Sequence, residues 1–111
     1  MSELFFKSSN ILHRLEIDEV CFFTKRNKKV LAIIKDQLYE IDTSLYYINE
    51  ILSKNVNFIR CHKSFIVNLK KIKEIVKYNN KTYNIYFKDT EEVAFITQKN
   101  LKILSNKALI L

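Results

Sequence analysis

Phe58-Ile59-Arg60-Cys61-His62-Lys63-Ser64-Phe65-Ile66-Val67-Asn68-Leu69-Lys70-Lys71-Ile72 is the stretch on which the reading of this chain turns. Two apolar runs of strand length, 58–61 and 65–69, flank a polar break at His62-Lys63-Ser64. This predicts two short strands joined by a polar loop, with Phe58, Phe65, Ile66, Val67 and Ile72 in the core. Asn68 closes the second run, where an asparagine side chain commonly caps a turn. Arg60 and His62 each carry two readings. An arginine on a strand either orders the adjoining loop or meets an external anion, and a histidine either satisfies buried carbonyls or faces a ligand. Lys70, Lys71, Lys73 and Lys77 read as a solvated face.

The same strand-length pattern extends to both sides. Residues 3–7 and 11–17 read as two strands hinged near Ser8-Ser9-Asn10. Residues 19–24 form a third strand, Lys25 to Lys28 a basic loop, and residues 29–35 a fourth strand. Asp36-Gln37 then turns into Leu38-Tyr39-Glu40-Ile41. Ser44 to Lys54 is the best helix. Asp42 or Thr43 is placed to cap it, and Leu45, Ile48 and Leu52 share one face. Beyond the central stretch, 72–78 and 82–88 form a hairpin about Asn79-Asn80, with Tyr83, Ile85 and Phe87 on one face. Residues 92–96 are one more strand, and Thr97 caps a last short helix carrying Leu101, Leu104 and Ala108. The expected fold is mainly β, with about ten short strands in small antiparallel sheets and one or two short helices.

A chain of 111 residues, 48% hydrophobic, suits one ordinary domain over residues 1–111. No apolar run approaches the ~18 residues that span a bilayer. The opening Met1-Ser2-Glu3-Leu4-Phe5-Phe6 lacks a charged segment followed by an apolar run, so no secretion signal is expected. Net charge is +7 with a pI near 9.4, which suits a polyanion. The lysine, asparagine and isoleucine content also matches A/T-rich codons, so the distribution says more than the total. Residues 1–55 carry eight basic and eight acidic side chains; residues 56–111 carry eleven basic against four acidic. The excess points to a charged face built mainly by the second half.

Glycine and proline are absent. That excludes a glycine-rich phosphate cradle, a dinucleotide fingerprint and a nucleophile elbow. Turns then fall to Asn and Asp, with Asn10, Asn27, Asp36, Asn79-Asn80 and Asp89 as candidates. Cys61 adjoins His62, but neighbours on a strand face opposite ways and make no catalytic dyad. Cys21, Cys61, His13 and His62 lack zinc-finger spacing, so no metal site is expected. Both cysteines read as small buried hydrophobes. The chain is expected to be no enzyme and to need no cofactor.

The central stretch resembles the signature of the LytTR family of DNA-binding domains. That pattern is an aromatic, one residue, Arg, one residue, His, a basic or polar residue, Ser, an aromatic, an aliphatic, Val, Asn, Leu and a later Ile. The strand Asp18-Glu19-Val20-Cys21-Phe22-Phe23, the helix ending Leu52-Ser53 and the closing Thr97-Gln98-Lys99-Asn100-Leu101 fit the family layout, from about residue 10 to 104. The resemblance implies an antiparallel β fold whose loops enter successive major grooves of promoter DNA. It implies three DNA-facing segments: Lys25, Arg26, Lys28 and Lys29; Arg60, His62, Lys63 and Ser64; and Lys99 with Asn100. Lys63 takes the base-contacting position. The first loop is short, which leaves its contact open between Lys28 and Lys29. Lys99 stands where Arg is frequent, and Lys cannot make the rigid fork to guanine.

The resemblance further implies a cytoplasmic, bacterial-type response regulator of a two-component system. Its target would be paired half-sites about one helical turn apart, and the chain would be mainly monomeric off DNA. The family usually sets this domain behind a receiver, and none lies in these 111 residues; fragment and stand-alone regulator both remain open. The competing reading is a non-catalytic RNA- or protein-interaction β-domain, since 13% aromatics could stack on single strands.

Overall fold

The computed structural model describes residues 3–111. The reading of the chain's opening rests partly on Met1 and Ser2, which lie outside the described residues. Strands β1 (Glu3–Ser8) and β2 (Ile11–Glu16) form an antiparallel ribbon. Ser9 turns it at φ 54°, and its N–H donates to the Asp42 carboxylate at 3.1 Å. A 3-10 turn, Ile17–Glu19, leads into β3 (Phe22–Arg26), β4 (Lys29–Ile34) and β5 (Gln37–Ile41). Helix α1 (Leu45–Ile51) follows, then β6 (Phe58–His62) and β7 (Phe65–Asn68). These five strands make one antiparallel sheet in the order β5-β4-β3-β7-β6. A second sheet, β10-β9-β8, is built from β8 (Ile72–Lys77), β9 (Thr82–Phe87) and β10 (Val93–Thr97). A 3-10 turn, Gln98–Asn100, runs into α2 (Leu101–Ser105).

The five-stranded sheet is covered on both faces, which is why β4 and β7 read as nearly continuous apolar runs. Phe23, Val30, Ala32, Ile34 and Ile66 face Phe6 of the ribbon and Leu45 and Ile48 of α1. Phe22, Ile33, Ile59, Cys61 and Val67 face Ile85 and Phe87 of β9, Ala94 and Ile96 of β10, and Leu104 of α2. Phe22 and Phe23 are adjacent, wholly buried, and sent to opposite faces by the two-residue period of the strand. Burying each such ring stabilises the fold by about 1.5–3 kcal/mol. Cys21 and Cys61 are fully buried free thiols.

The mainly β architecture is as the sequence predicts, and several boundaries differ. The helix expected over Ser44 to Lys54 spans Leu45–Ile51, and its cap is Ser44. The Ser44 Oγ accepts from the Tyr47 N–H at 3.0 Å, whereas Asp42 is already engaged by Ser9. The second hairpin of the large sheet turns at Lys35-Asp36, one residue before the expected place, with Lys35 at φ 54°. α2 ends at Ser105, so Ala108 is exposed and shares no buried face with Leu104. Lys71 is not part of a solvated face: its Nζ donates to Asp89 at 2.6 Å and its side chain is 23% exposed.

Candidate nucleic-acid interface

Two basic turns meet at one end of the large sheet. β3 and β4 join through Asn27-Lys28, both at positive φ (51° and 67°), the pattern of a tight type I′ hairpin. β6 and β7 join through Lys63-Ser64. The Lys25 N–H donates to the Ser64 carbonyl at 3.1 Å, continuing the β3–β7 pairing past Thr24 and Phe65. The tips therefore lie side by side. Between them runs a groove lined by Lys25, Lys28, Arg60, Lys63 and Ser64, with Thr43, Ser44 and Tyr46 from the approach to α1 closing it. These last three carry no signal in the sequence, because nothing in local spacing links the start of α1 to the tip of β3.

Strand alternation sorts the basic residues of the first turn. Lys25 lies on the same face as Phe23 and lines the groove. Arg26 points the other way, and its guanidinium donates to Glu92 at 3.2 Å. Lys29 stands 3.6 Å from Glu40. Of the two lysines left open by the sequence, Lys28 is the one at the tip and on the groove.

The second turn is fixed by its own neighbours. Arg60 donates from Nη2 to the Lys63 carbonyl at 2.7 Å, the loop-ordering role of its two readings. Its Nε is buried with no hydrogen-bond partner among the described residues. The register slips between Arg60 and His62, a bulge that re-aims the strand end. His62 Nδ1 accepts the Ser64 N–H at 3.0 Å, and its ring stands edge-on to Phe95 at 4.6 Å. Burial first, then the charges of Lys63 and Arg60, hold the imidazole pKa below its ordinary range. Lys63 itself is exposed at the apex.

The third segment docks on the second. Asn100 donates from Nδ2 to the Cys61 carbonyl at 3.0 Å, and its N–H is capped by Thr97 Oγ1 at 3.3 Å. Asn100 is thus a strut in this structure, and Lys99 beside it is the exposed member. Burial pushes the Cys61 thiol up to about 12, so it is no thiolate at neutral pH. No helix among the described residues is long and apolar enough to cross a membrane, which leaves β-barrels unaddressed.

A family model described as the LytTr DNA-binding domain matches residues 10–108. This chain belongs to the LytTr DNA-binding domain family. The LytTr domain is 40% identical over 58 residues to the sensory transduction protein LytT of Bacillus subtilis, covering 52% of this chain and 24% of that protein. It is 24% identical over 100 residues to the transcriptional regulatory protein NatR of the same organism, covering 90% and 42%. A third relative, the uncharacterized HTH-type transcriptional regulator SAB2242 of Staphylococcus aureus, is 29% identical over 99 residues, covering 89% and 65%. The chain thus spans between a quarter and two thirds of the length of these relatives. A LytTr DNA-binding domain from Bacillus cereus superposes with a TM-score of 0.80 at 23% identity over 99% of both chains, which shows the shared fold. The family is one of DNA-binding domains, and an RNA- or protein-interaction role is not favoured by these matches.

Proposed function

We propose that this LytTr domain reads duplex promoter DNA sequence-specifically through Lys63, with Lys25, Lys28 and Lys99 holding phosphates around it. The observation that carries this is the Lys25–Ser64 hydrogen bond, which sets two basic tips side by side with Lys63 at the apex. Phosphate contacts supply affinity and register, and a base-edge contact supplies sequence. Arg26 and Lys29, already paired with Glu92 and Glu40, contribute less. Ser64 and Asn100 hold the turn, as do Arg60 and His62. Residues 1–111 act as one such domain in the cytoplasm, without catalysis, and where the domain is part of a longer protein a receiver would control it. Two copies would set their tips in successive major grooves of paired half-sites about one helical turn apart.

The test compares Lys63→Ala with Lys70→Ala against operator and scrambled duplexes, with folding checked by circular dichroism. Lys70 is exposed at the far end of β7 from Lys63 and replaces Lys71 as the control, since Lys71 is tied to Asp89. Lys63→Ala should cost about 1–3 kcal/mol on the operator and much less on the scrambled duplex. Lys70→Ala should change both little and alike. Equal losses in the two variants would remove Lys63 from the base-reading position.

A further inference from the structure

Among the described residues, three asparagines close turns in one way, the side-chain oxygen accepting the N–H two residues ahead. Asn55 does so to Asn57 at 3.0 Å, Asn68 to Lys70 at 3.0 Å and Asn79 to Lys81 at 2.8 Å. His62 makes the same closure to Ser64, with Nδ1 in place of the amide oxygen. An amide oxygen accepts at any pH. An imidazole nitrogen accepts only while it carries no proton. The Ser64 N–H is a fixed donor, so the nitrogen facing it must be bare. Protonation would set two donors against each other across the turn that carries Lys63.

We propose that His62 is a positioning residue that holds Lys63 in its DNA-reading pose only while the ring is neutral, so that operator recognition is lost on acidification. The inference rests on the reading of Lys63 given above. Burial and the two neighbouring cations favour the neutral form. Arg60 on the same strand and Lys63 on the turn are cations. Lys25 reaches the turn from β3 through the Ser64 carbonyl, and Lys99 precedes Asn100, which is bonded to Cys61. Cys61 is a neutral thiol. Phe65 on β7 and Phe95 on β10 present aromatic rings at 5.7 Å and 4.6 Å. A ring whose folded pKa is depressed contributes fully above its unfolded value, near 6.5, and loses that contribution as pH falls through the lowered folded value. The sign is opposite to simple electrostatics, in which a histidine that gains charge beside DNA strengthens binding.

The experiment titrates the wild-type chain, His62→Asn and His62→Leu against operator and scrambled duplexes at constant ionic strength, from about pH 7.5 to about pH 5. Wild-type operator affinity should fall about tenfold while scrambled affinity holds or rises. His62→Asn restores a pH-independent acceptor, so it should bind the operator within about twofold of wild type at the upper pH and lose the acid drop. His62→Leu should lose about tenfold across the range. Without DNA, hydrogen-exchange protection of the Ser64 amide should fall with acid in wild type and persist in His62→Asn. An acid loss shared by His62→Asn, or Ser64 protection that ignores pH in wild type, overturns the lock alone. Unchanged operator affinity in Lys63→Ala overturns the reading of the site beneath it.

Discussion

At the scale of single residues, the buried polar groups carry the local accuracy of the fold. Asn68 is wholly buried and fully used: Nδ2 donates to the carbonyls of Asp18 and Val20 at 3.1 and 2.9 Å, and Oδ1 accepts from Lys70. Asn68→Ala would leave the buried Val20 carbonyl without its partner and remove the partners of the part-buried Asp18 carbonyl and Lys70 N–H. The expected cost is roughly 2–3 kcal/mol, read as a lower urea midpoint at unchanged slope. Because Asn68 sits at the opposite end of β7 from the Lys63 turn, operator affinity per folded molecule should stay the same. A lower affinity in the folded fraction would mean that the two ends of the strand communicate. The role of Asn68 was legible from its place at a strand end. That of His62 was not, since its closure onto Ser64 depends on the bulge at Arg60–His62.

At the scale of elements, alternation predicted the strands and missed some of the turns between them. Tyr83, Ile85 and Phe87 line one face of β9 as their spacing requires, all of them packed in the second core cluster. The misplaced turn at Lys35-Asp36 follows from the lack of glycine: a lysine holds the left-handed position, and lysine carries no turn signal. The 3-10 turn Ile17–Glu19 is too short to show a period. Ion pairs such as Arg26–Glu92, 66 residues apart in sequence, leave no local trace at all. The β3–β4 hairpin joins two demands in one residue. Lys28 sits at φ 67°, where a side chain costs about 1–2 kcal/mol, yet it is a cation on the groove. Lys28→Gly should therefore raise thermal stability, by up to about 1 kcal/mol after the added freedom of the unfolded chain. The same change should weaken DNA binding severalfold. A variant that gains stability and keeps its affinity would take Lys28 out of the interface.

At the scale of the whole molecule, charge and shape set how the domain meets a duplex. If Lys25, Lys28, Lys63 and Lys99 each neutralise a phosphate, log affinity against log salt should slope at roughly −3 to −4. Fluorescence anisotropy across a salt series measures this, and a flat slope would sink the arrangement. The molecule measures 44 × 29 × 24 Å. Half-sites one turn apart are separated by about 34–36 Å, so two copies fit side by side only with their long axes across the duplex. The sheet order also governs the timing of folding. Every strand pairing among the described residues joins neighbours in sequence, except β3 with β7. That seam brings Phe22 opposite Val67, closing a loop over β4, β5, α1 and β6. Hairpins form in microseconds, whereas a closure of that span waits for its parts and carries the larger entropic cost. The seam is also what lays the two basic tips together. A nascent or refolding chain would thus hold its secondary structure well before it could recognise an operator, and slow closure of β3 on β7 would set the lag between the two.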